Sequence, residues 1–224
     1  MNKIQNWFGT SIYRSSIEGF NNINKSILPL ITKNVKNHNS TTARSTDTQS
    51  EETKAIGDTL HTDKKFNKLF KQIEKEIKSF LNHANLNTKI FDAYITKAWA
   101  TCTFKDQYVS LHRHMASHFS FVYYVKAENQ GNIVFIDDQT RLPGLQIERK
   151  EPNFTQWSNF NASRIEYPSQ SGVLIIFPSS LYHETLQNKS NDLRVSISGD
   201  IILTMKKGVK SENNLPSPST WKKV

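Results

Sequence analysis

Seven histidines are present, and the spacing of four of them invites a chemical reading. His112 and His114 stand two apart in Val109-Ser110-Leu111-His112-Arg113-His114, and His118 follows after a turn. In a strand, residues i and i+2 share a face, so both imidazoles of the first pair would aim at one ion. His183 follows the apolar run Gly172 to Phe177 in Phe177-Pro178-Ser179-Ser180-Leu181-Tyr182-His183. A ring at the end of a core strand can close a site opened by the pair, so His112, His114 and His183 are the expected metal ligands. The bland reading, histidines hydrogen-bonded at the surface without metal, competes with it.

Arg194-Val195-Ser196-Ile197-Ser198 begins eleven residues beyond His183. In a strand Arg194, Ser196 and Ser198 point one way and the two β-branched residues the other. A guanidinium facing into a barrel requires an anion, since burying it unpaired is costly. Its planar fork suits a carboxylate, and a neighbouring hydroxyl adds a hydrogen bond. The alternatives are an internal acidic partner or the distal carboxylate of a small acid whose other end reaches the metal.

These residues need a scaffold. The chain has 224 residues, 36% hydrophobic and 22% charged, which suits one core with a helical extension. Phe66, Leu69, Phe70, Ile73, Ile77, Phe80 and Leu81 recur at helical spacing, opposite Lys64, Lys65, Lys68, Lys71, Lys75 and Lys78. Thr62 or Asp63 is placed to cap that helix. An earlier helix is expected over Ile17 to Ile31, with Pro29 stopping it early, and an edge strand over Trp7 to Ile12. Asn37 to Glu52 reads as a mobile polar loop. Beyond residue 89, short β-rich runs cover Lys89–Trp99, Tyr108–His114, Phe119–Lys126, Asn132–Ile136, Gly172–Phe177 and Arg194–Leu203. The expected fold is mainly β, a sandwich or barrel with N-terminal helices packed on one sheet. The expected division is a helical region 1–88, a β core 89–205 and a tail 206–224.

Other classes are excluded. One cysteine, Cys102, permits no intramolecular disulfide and no multi-thiolate cluster, and reads as a small buried hydrophobe. No apolar run is long enough for a membrane span, and Met1 to Thr10 lacks the apolar stretch of a signal peptide. The expected location is therefore cytoplasmic, the host cytoplasm for a viral protein. No GxGxxG, P-loop or positioned Ser–His–Asp set is present. The net charge of +9 is concentrated in residues 1–89 and admits an anionic partner, although no dense basic stripe accompanies it. Oligomeric state is open, a dimer included.

Together these segments resemble the phage and bacterial iron(II)/2-oxoglutarate-dependent oxygenases, relatives in fold of the prolyl hydroxylases. The resemblance rests on Trp7 to Tyr13, Trp99, His112-x-His114, Ser120 to Val125, Gly131 to Asp138, Gly172 to His183 and Arg194-x-Ser196-x-Ser198. It implies a double-stranded β-helix, a jelly roll of the cupin kind, with Fe(II), 2-oxoglutarate and O₂ as cofactor and cosubstrates. It implies oxidative decarboxylation to succinate and CO₂, coupled to hydroxylation of a peptidyl or small-molecule carbon. His112, His114 and His183 would hold the iron, Arg194 the C5 carboxylate, and Ser196 and Tyr124 would assist it. Tyr123 competes with Tyr124 for that role.

The sequence departs from the family pattern at two places. The common arrangement is His-x-Asp/Glu with a distant His, whereas position 114 is histidine, leaving Asp137 or Asp138 as candidate carboxylates. Phe121 stands where glycine usually follows Ser120, and would narrow the substrate channel. Rival readings are a cupin-type metal-binding protein or enzyme with a three-histidine site, against which Met115 to Phe119 supplies no cupin glutamate, and a non-catalytic phage structural or interaction protein. An oxygenase acting on nucleic acid would need the α-helical lysines to line the approach to the metal.

Overall fold

The structure, a computed structural model, describes residues 9–33, 35, 46–47, 58–137, 146–158 and 160–224. The helices form where apolar spacing demands them. Helix α1 (Phe20–Thr32) buries Ile23, Ile27 and Ile31 at four-residue intervals. Pro29 lies inside it rather than ending it. The proline is on the exposed face, where water can satisfy the carbonyl deprived of its donor, and the isoleucine stripe holds the turn closed.

Asp63 caps a short 3₁₀ turn, accepting a hydrogen bond from the Lys65 backbone at 2.9 Å, and the chain continues into α2 (Asn67–His83). Leu69, Phe70, Ile73, Ile77, Phe80 and Leu81 are buried, as their spacing requires. Burying each such side chain favours folding by about 1.5–3 kcal/mol. Lys68, Lys71, Lys75 and Lys78 face solvent.

The remainder is antiparallel β-structure in two sheets. The strands are β1 (Tyr13–Ser16), β2 (Thr46–Asp47), β3 (Phe91–Thr103), β4 (Phe119–Lys126), β5 (Ile133–Ile136), β6 (Arg164–Tyr167), β7 (Val173–Pro178), β8 (Tyr182–Thr185) and β9 (Arg194–Met205). The larger sheet has the order β1-β7-β4-β9-β3-β2 and the smaller β6-β5-β8. Strand alternation divides the larger sheet into two faces. Phe121, Tyr123, Val125, Leu174, Ile176, Val195, Ile197 and Ile201 pack with the helices. Val122, Tyr124, Val173, Ile175 and Phe177 meet Ile133 and Phe135 of the smaller sheet. The protein is thus mainly β, with its N-terminal helices on one sheet.

Two expectations need correction. The N-terminal edge strand is Tyr13–Ser16, fixed by pairing with Val173–Ile176, while residues 9–12 are irregular and Trp7 and Phe8 lie outside the described residues. Of Asn37 to Glu52 only Thr46 and Asp47 are described, paired with Cys102 and Thr101; the expected mobile loop otherwise lies outside the described residues. Tyr108 to His114 forms no regular strand. It contacts β8 through a single bridge between His112 and His183, with reciprocal backbone hydrogen bonds of 3.0 and 2.9 Å. Strands β6 and β8 are not among the expected strands, since Arg164-Ile165-Glu166-Tyr167 and Tyr182-His183-Glu184-Thr185 are short and lack the apolar run that marks the equally short β5.

A bulge matters to the site. Ile95 pairs with Ile201, but Lys97 pairs with Asp200, so Thr96 is the extra residue on β3. Such an insertion re-aims the side chain that follows it, and here it turns Lys97 onto the face of Asp200.

Candidate metal centre

The bridge between His112 and His183 brings two imidazoles together from segments 71 residues apart, with ring centroids 4.3 Å apart. His114 joins them, its centroid 5.3 Å from each. One ring nitrogen of each histidine lies within 4.8 Å of the other two. Each Nδ1 has an oxygen partner: Ser110 O at 2.8 Å for His112, Leu181 O at 2.9 Å for His183, and Asp200 Oδ1 at 2.5 Å for His114. An acceptor at Nδ1 fixes the proton there and leaves the Nε2 lone pair free, the tautomer a metal-binding histidine uses. The three residues fit one divalent ion.

The electrostatics favour the neutral, ligating form. Burial pushes the His183 pKa down to about 3, with the neighbouring histidines acting in the same direction. Burial likewise lowers that of His112. For Asp200 burial alone would raise the pKa, but hydrogen bonds from His114 and Ser120 and the adjacent Lys97 hold it below the usual carboxylate value. Lys97 Nζ lies 3.2 Å from Asp200 Oδ2.

Asp200 is not among the candidates that residue spacing singles out. It occupies the same parity as Arg194, Ser196 and Ser198 on β9, and an acid at the fourth same-face position was the available signal. Ser120, opposite Asp200 in the β4–β9 register, donates to Asp200 Oδ1 at 2.7 Å and lies 3.1 Å from His114 Nδ1. This is no nucleophilic triad, because serine and carboxylate share one ring nitrogen rather than flanking the imidazole.

The other candidates fall as follows. Asp137 pairs with Arg149 and is not part of the histidine cluster, and Asp138 lies outside the described residues. Phe121 does not narrow a channel. Ser120 points between the sheets, so Phe121 points to the helical side, fully buried against Gly199. By the same alternation Tyr123 faces α1, where its hydroxyl donates to Asn24 Oδ1 at 2.5 Å, and Tyr124 faces inward. His118 is turned away and accepts from the Leu203 backbone N–H at 3.1 Å. Cys102 is buried.

Arg194 is 1% exposed. Its guanidinium donates to Thr103 Oγ1 at 3.2 Å and lies 5.2 Å over the Tyr124 ring. No carboxylate pairs with it among the described residues, and its Nε and the Tyr124 hydroxyl are buried without hydrogen-bond partners. Burial raises the Tyr124 pKa, opposed by the charge of Arg194. Ser196, opposite Tyr124 on β4 and Thr101 on β3, is buried beside them. Gly131 lies against this cluster at φ +61°, and a Cβ there would come 2.8 Å from Leu186 O.

A cavity of about 650 Å³ opens over His112 and His114, walled by Lys97, Trp99, Thr101, Tyr108, Arg113 and Met115. Neither Arg194, Ser196 nor Tyr124 lines it, and no α2 lysine does. No helix among the described residues is long and apolar enough to cross a membrane.

Residues 97–200 match a family model described as "Putative 2OG-Fe(II) oxygenase". No curated protein matches the sequence. Among solved structures, a prolyl-4-hydroxylase from Pseudomonas putida is similar at TM-score 0.50 and 10% identity, over 86% of this chain and 92% of that one. HygX from Streptomyces hygroscopicus with nickel and 2-oxoglutarate bound is similar at TM-score 0.55 and 10% identity, over 86% and 83%. A 2OG-Fe(II) oxygenase family oxidoreductase from Burkholderia pseudomallei is similar at TM-score 0.41 and 14% identity, over 64% of this chain, which spans 54% of that one. At these identities the likenesses speak to fold alone. The family match is confined to residues 97–200, under half of the chain, and the fold as a whole is like that of the prolyl-4-hydroxylase and HygX structures.

Proposed function

We propose that the protein is a metal-dependent enzyme whose mononuclear centre is formed by His112, His114 and His183. The observation that carries this reading is the clustering of one ring nitrogen from each of the three histidines within 4.8 Å, while an oxygen acceptor at each Nδ1 leaves Nε2 as the free lone pair. Three imidazoles suit iron, nickel, copper or zinc and leave coordination positions for a substrate. When bound, the ion would supply Lewis-acid or redox chemistry at the floor of the cavity. The chain favours neutral His112 and His183 by burying them, braces each of the three imidazoles through Nδ1, and limits access to an opening walled by Trp99, Tyr108 and Arg113. Metal analysis of the purified chain tests this. One ion per chain is expected, and loss of that ion in His183→Ala.

A finer reading is favoured by Arg194. We infer that 2-oxoglutarate is the cosubstrate and that the two sheets are the faces of a double-stranded β-helix spanning the 89–205 core. A buried guanidinium without an anion is a costly arrangement that a distal carboxylate would relieve. Arg194 Nε and the Tyr124 hydroxyl are unsatisfied donors on the interior face, with Ser196 beside them. The coupled reaction would be hydroxylation of a peptidyl or small-molecule carbon with O₂ and Fe(II). The separation of this cluster from the histidine cavity makes the three-histidine centre the better-supported feature. Succinate formation from 2-oxoglutarate by the Fe(II)-loaded chain decides between them. Metal binding without any 2-oxoglutarate binding or turnover leaves a cupin-like three-histidine enzyme, and absence of both leaves a non-catalytic interaction protein.

A further inference from the structure

Three adjacent strands place Lys97, Asp200 and Ser120 directly side by side. Lys97 pairs with Asp200 across β3–β9, and Ser120 pairs with Asp200 across β9–β4. Asp200 is 3% exposed, and both of its oxygens are committed. Oδ2 takes the Lys97 ammonium at 3.2 Å, while Oδ1 takes the Ser120 hydroxyl at 2.7 Å and His114 Nδ1 at 2.5 Å. Ser120 is held in turn by Ser179, 2.9 Å away, and Ser179 by Ser117 at 2.8 Å. Of the three histidines, His112 and His183 are braced only by backbone carbonyls, and His114 alone by a carboxylate.

His114 also stands at the position where the common oxygenase pattern has the ligating carboxylate. Three neutral imidazoles would leave the bound ion without a negative ligand. A carboxylate hydrogen-bonded to the far nitrogen of a ligating imidazole raises that ligand's basicity and fixes its orientation. We propose that Asp200 supplies, through His114, the negative charge that this three-histidine centre lacks in its own ligand set, with Lys97 moderating that charge. Asp200 is then a positioning residue: it acts through His114 and is not a ligand. This rests on the three-histidine reading of the metal centre.

Mn(II) alone is the probe, titrated into the full-length chain and followed by the paramagnetic resonance of the free ion. Asp200→Asn keeps the shape and an oxygen acceptor but removes the charge, and is expected to weaken Mn(II) binding by about 10- to 100-fold. The ligand-field bands of bound Co(II) are expected to shift in the same variant. Lys97→Met removes the opposing charge and is expected to tighten Mn(II) binding severalfold with Asp200 present and to change it little in the Asp200→Asn background. Direct repulsion of the ion by the ammonium would give the same gain in both. Undiminished Mn(II) affinity in folded Asp200→Asn overturns the proposal. Should that variant not fold, unchanged or weaker binding in Lys97→Met overturns it. If the wild type binds no Mn(II) or Co(II), the metal centre itself is overturned, and this inference with it. If His114→Ala loses the ion while Asp200→Asn keeps it at full affinity, the centre stands and only the inference fails.

Discussion

The guanidinium of Arg194 lies 5.2 Å over the ring of Tyr124, and each of these buried residues carries a donor with no acceptor. The stacking orients the fork without neutralising it, because a ring quadrupole attracts a cation but replaces no anion. The sheet register determines the arrangement. Tyr124 stands opposite Ser196 on β9, and Arg194 begins that strand two residues earlier.

That pairing sets the first expectation. 2-Oxoglutarate should raise the melting temperature of the wild type and not that of Arg194→Met, which retains bulk but has no fork. Loss of a charged-group hydrogen bond of roughly 1.5–3 kcal/mol corresponds to about a 10- to 150-fold weaker cosubstrate requirement curve. Without cosubstrate the Met variant should be at least as stable as the wild type, since it relieves a buried unpaired charge. Thermal denaturation with and without 2-oxoglutarate measures both. An equal shift in the two proteins would place the cosubstrate elsewhere.

The metal ligands can be separated individually. Ala at His112, His114 or His183 should each lower the bound metal to well below one ion per chain, whereas Ala at Asp137 should not, because that carboxylate is engaged by Arg149. Elemental analysis after gel filtration reads this directly. Full metal content in His183→Ala would remove the centre described above.

Acid should loosen the metal-free protein. The folded His183 pKa, about 3, lies below the ordinary value of 6.5, so between those limits the unfolded chain binds a proton that the folded chain does not. Stability is then fully present above about 6.5 and is lost as pH falls toward 3. His112 acts in the same direction. Asp200, whose pKa is lowered from 3.8, adds its loss only at the acid end of that range. Denaturant titrations of the apo-protein at pH 7.5 and 5 should show the decline, and His183→Ala should flatten it. A decline of equal steepness in that variant would assign it to other groups.

Packing between sheet and helices offers a stability test remote from the histidines. A Cβ on Gly199 would come 2.5 Å from the Phe121 ring and 2.8 Å from Lys97 O. Gly199→Ala should therefore destabilise by about 1–3 kcal/mol, and Phe121→Leu should recover part of that in the double variant. Additive losses would show that the Lys97 carbonyl, rather than the ring, is the obstacle.

Much of the architecture was legible in residue order. The α2 stripe from Leu69 to Leu81 declares its period, and strands β4, β7 and β9 are long enough for alternation and β-branching to mark them. His112, His114, His183 and Arg194 were conspicuous because imidazoles two apart and an arginine amid β-branched residues are costly without a purpose. Shorter elements left no such mark. β6 and β8 are as short as β5 but mostly polar, so no apolar run marks them, and they are fixed only by long-range pairing with β5. The segment carrying His112 and His114 reads as a strand by alternation, yet it makes one bridge to β8, so tertiary contact and not local propensity sets its course. Pro29 looked like a helix stop because local rules do not know which face meets water. Phe121 looked like an obstruction because the inward face of β4 was undetermined until Ser120 met Asp200. The bulge at Thr96, which turns Lys97 onto Asp200, has no signature in composition. Residue types and their spacing thus determined the kind of chemistry available, since they are local properties. Only the tertiary structure decided which carboxylate braces His114, because cross-strand register and bulges depend on pairings between residues some hundred positions apart.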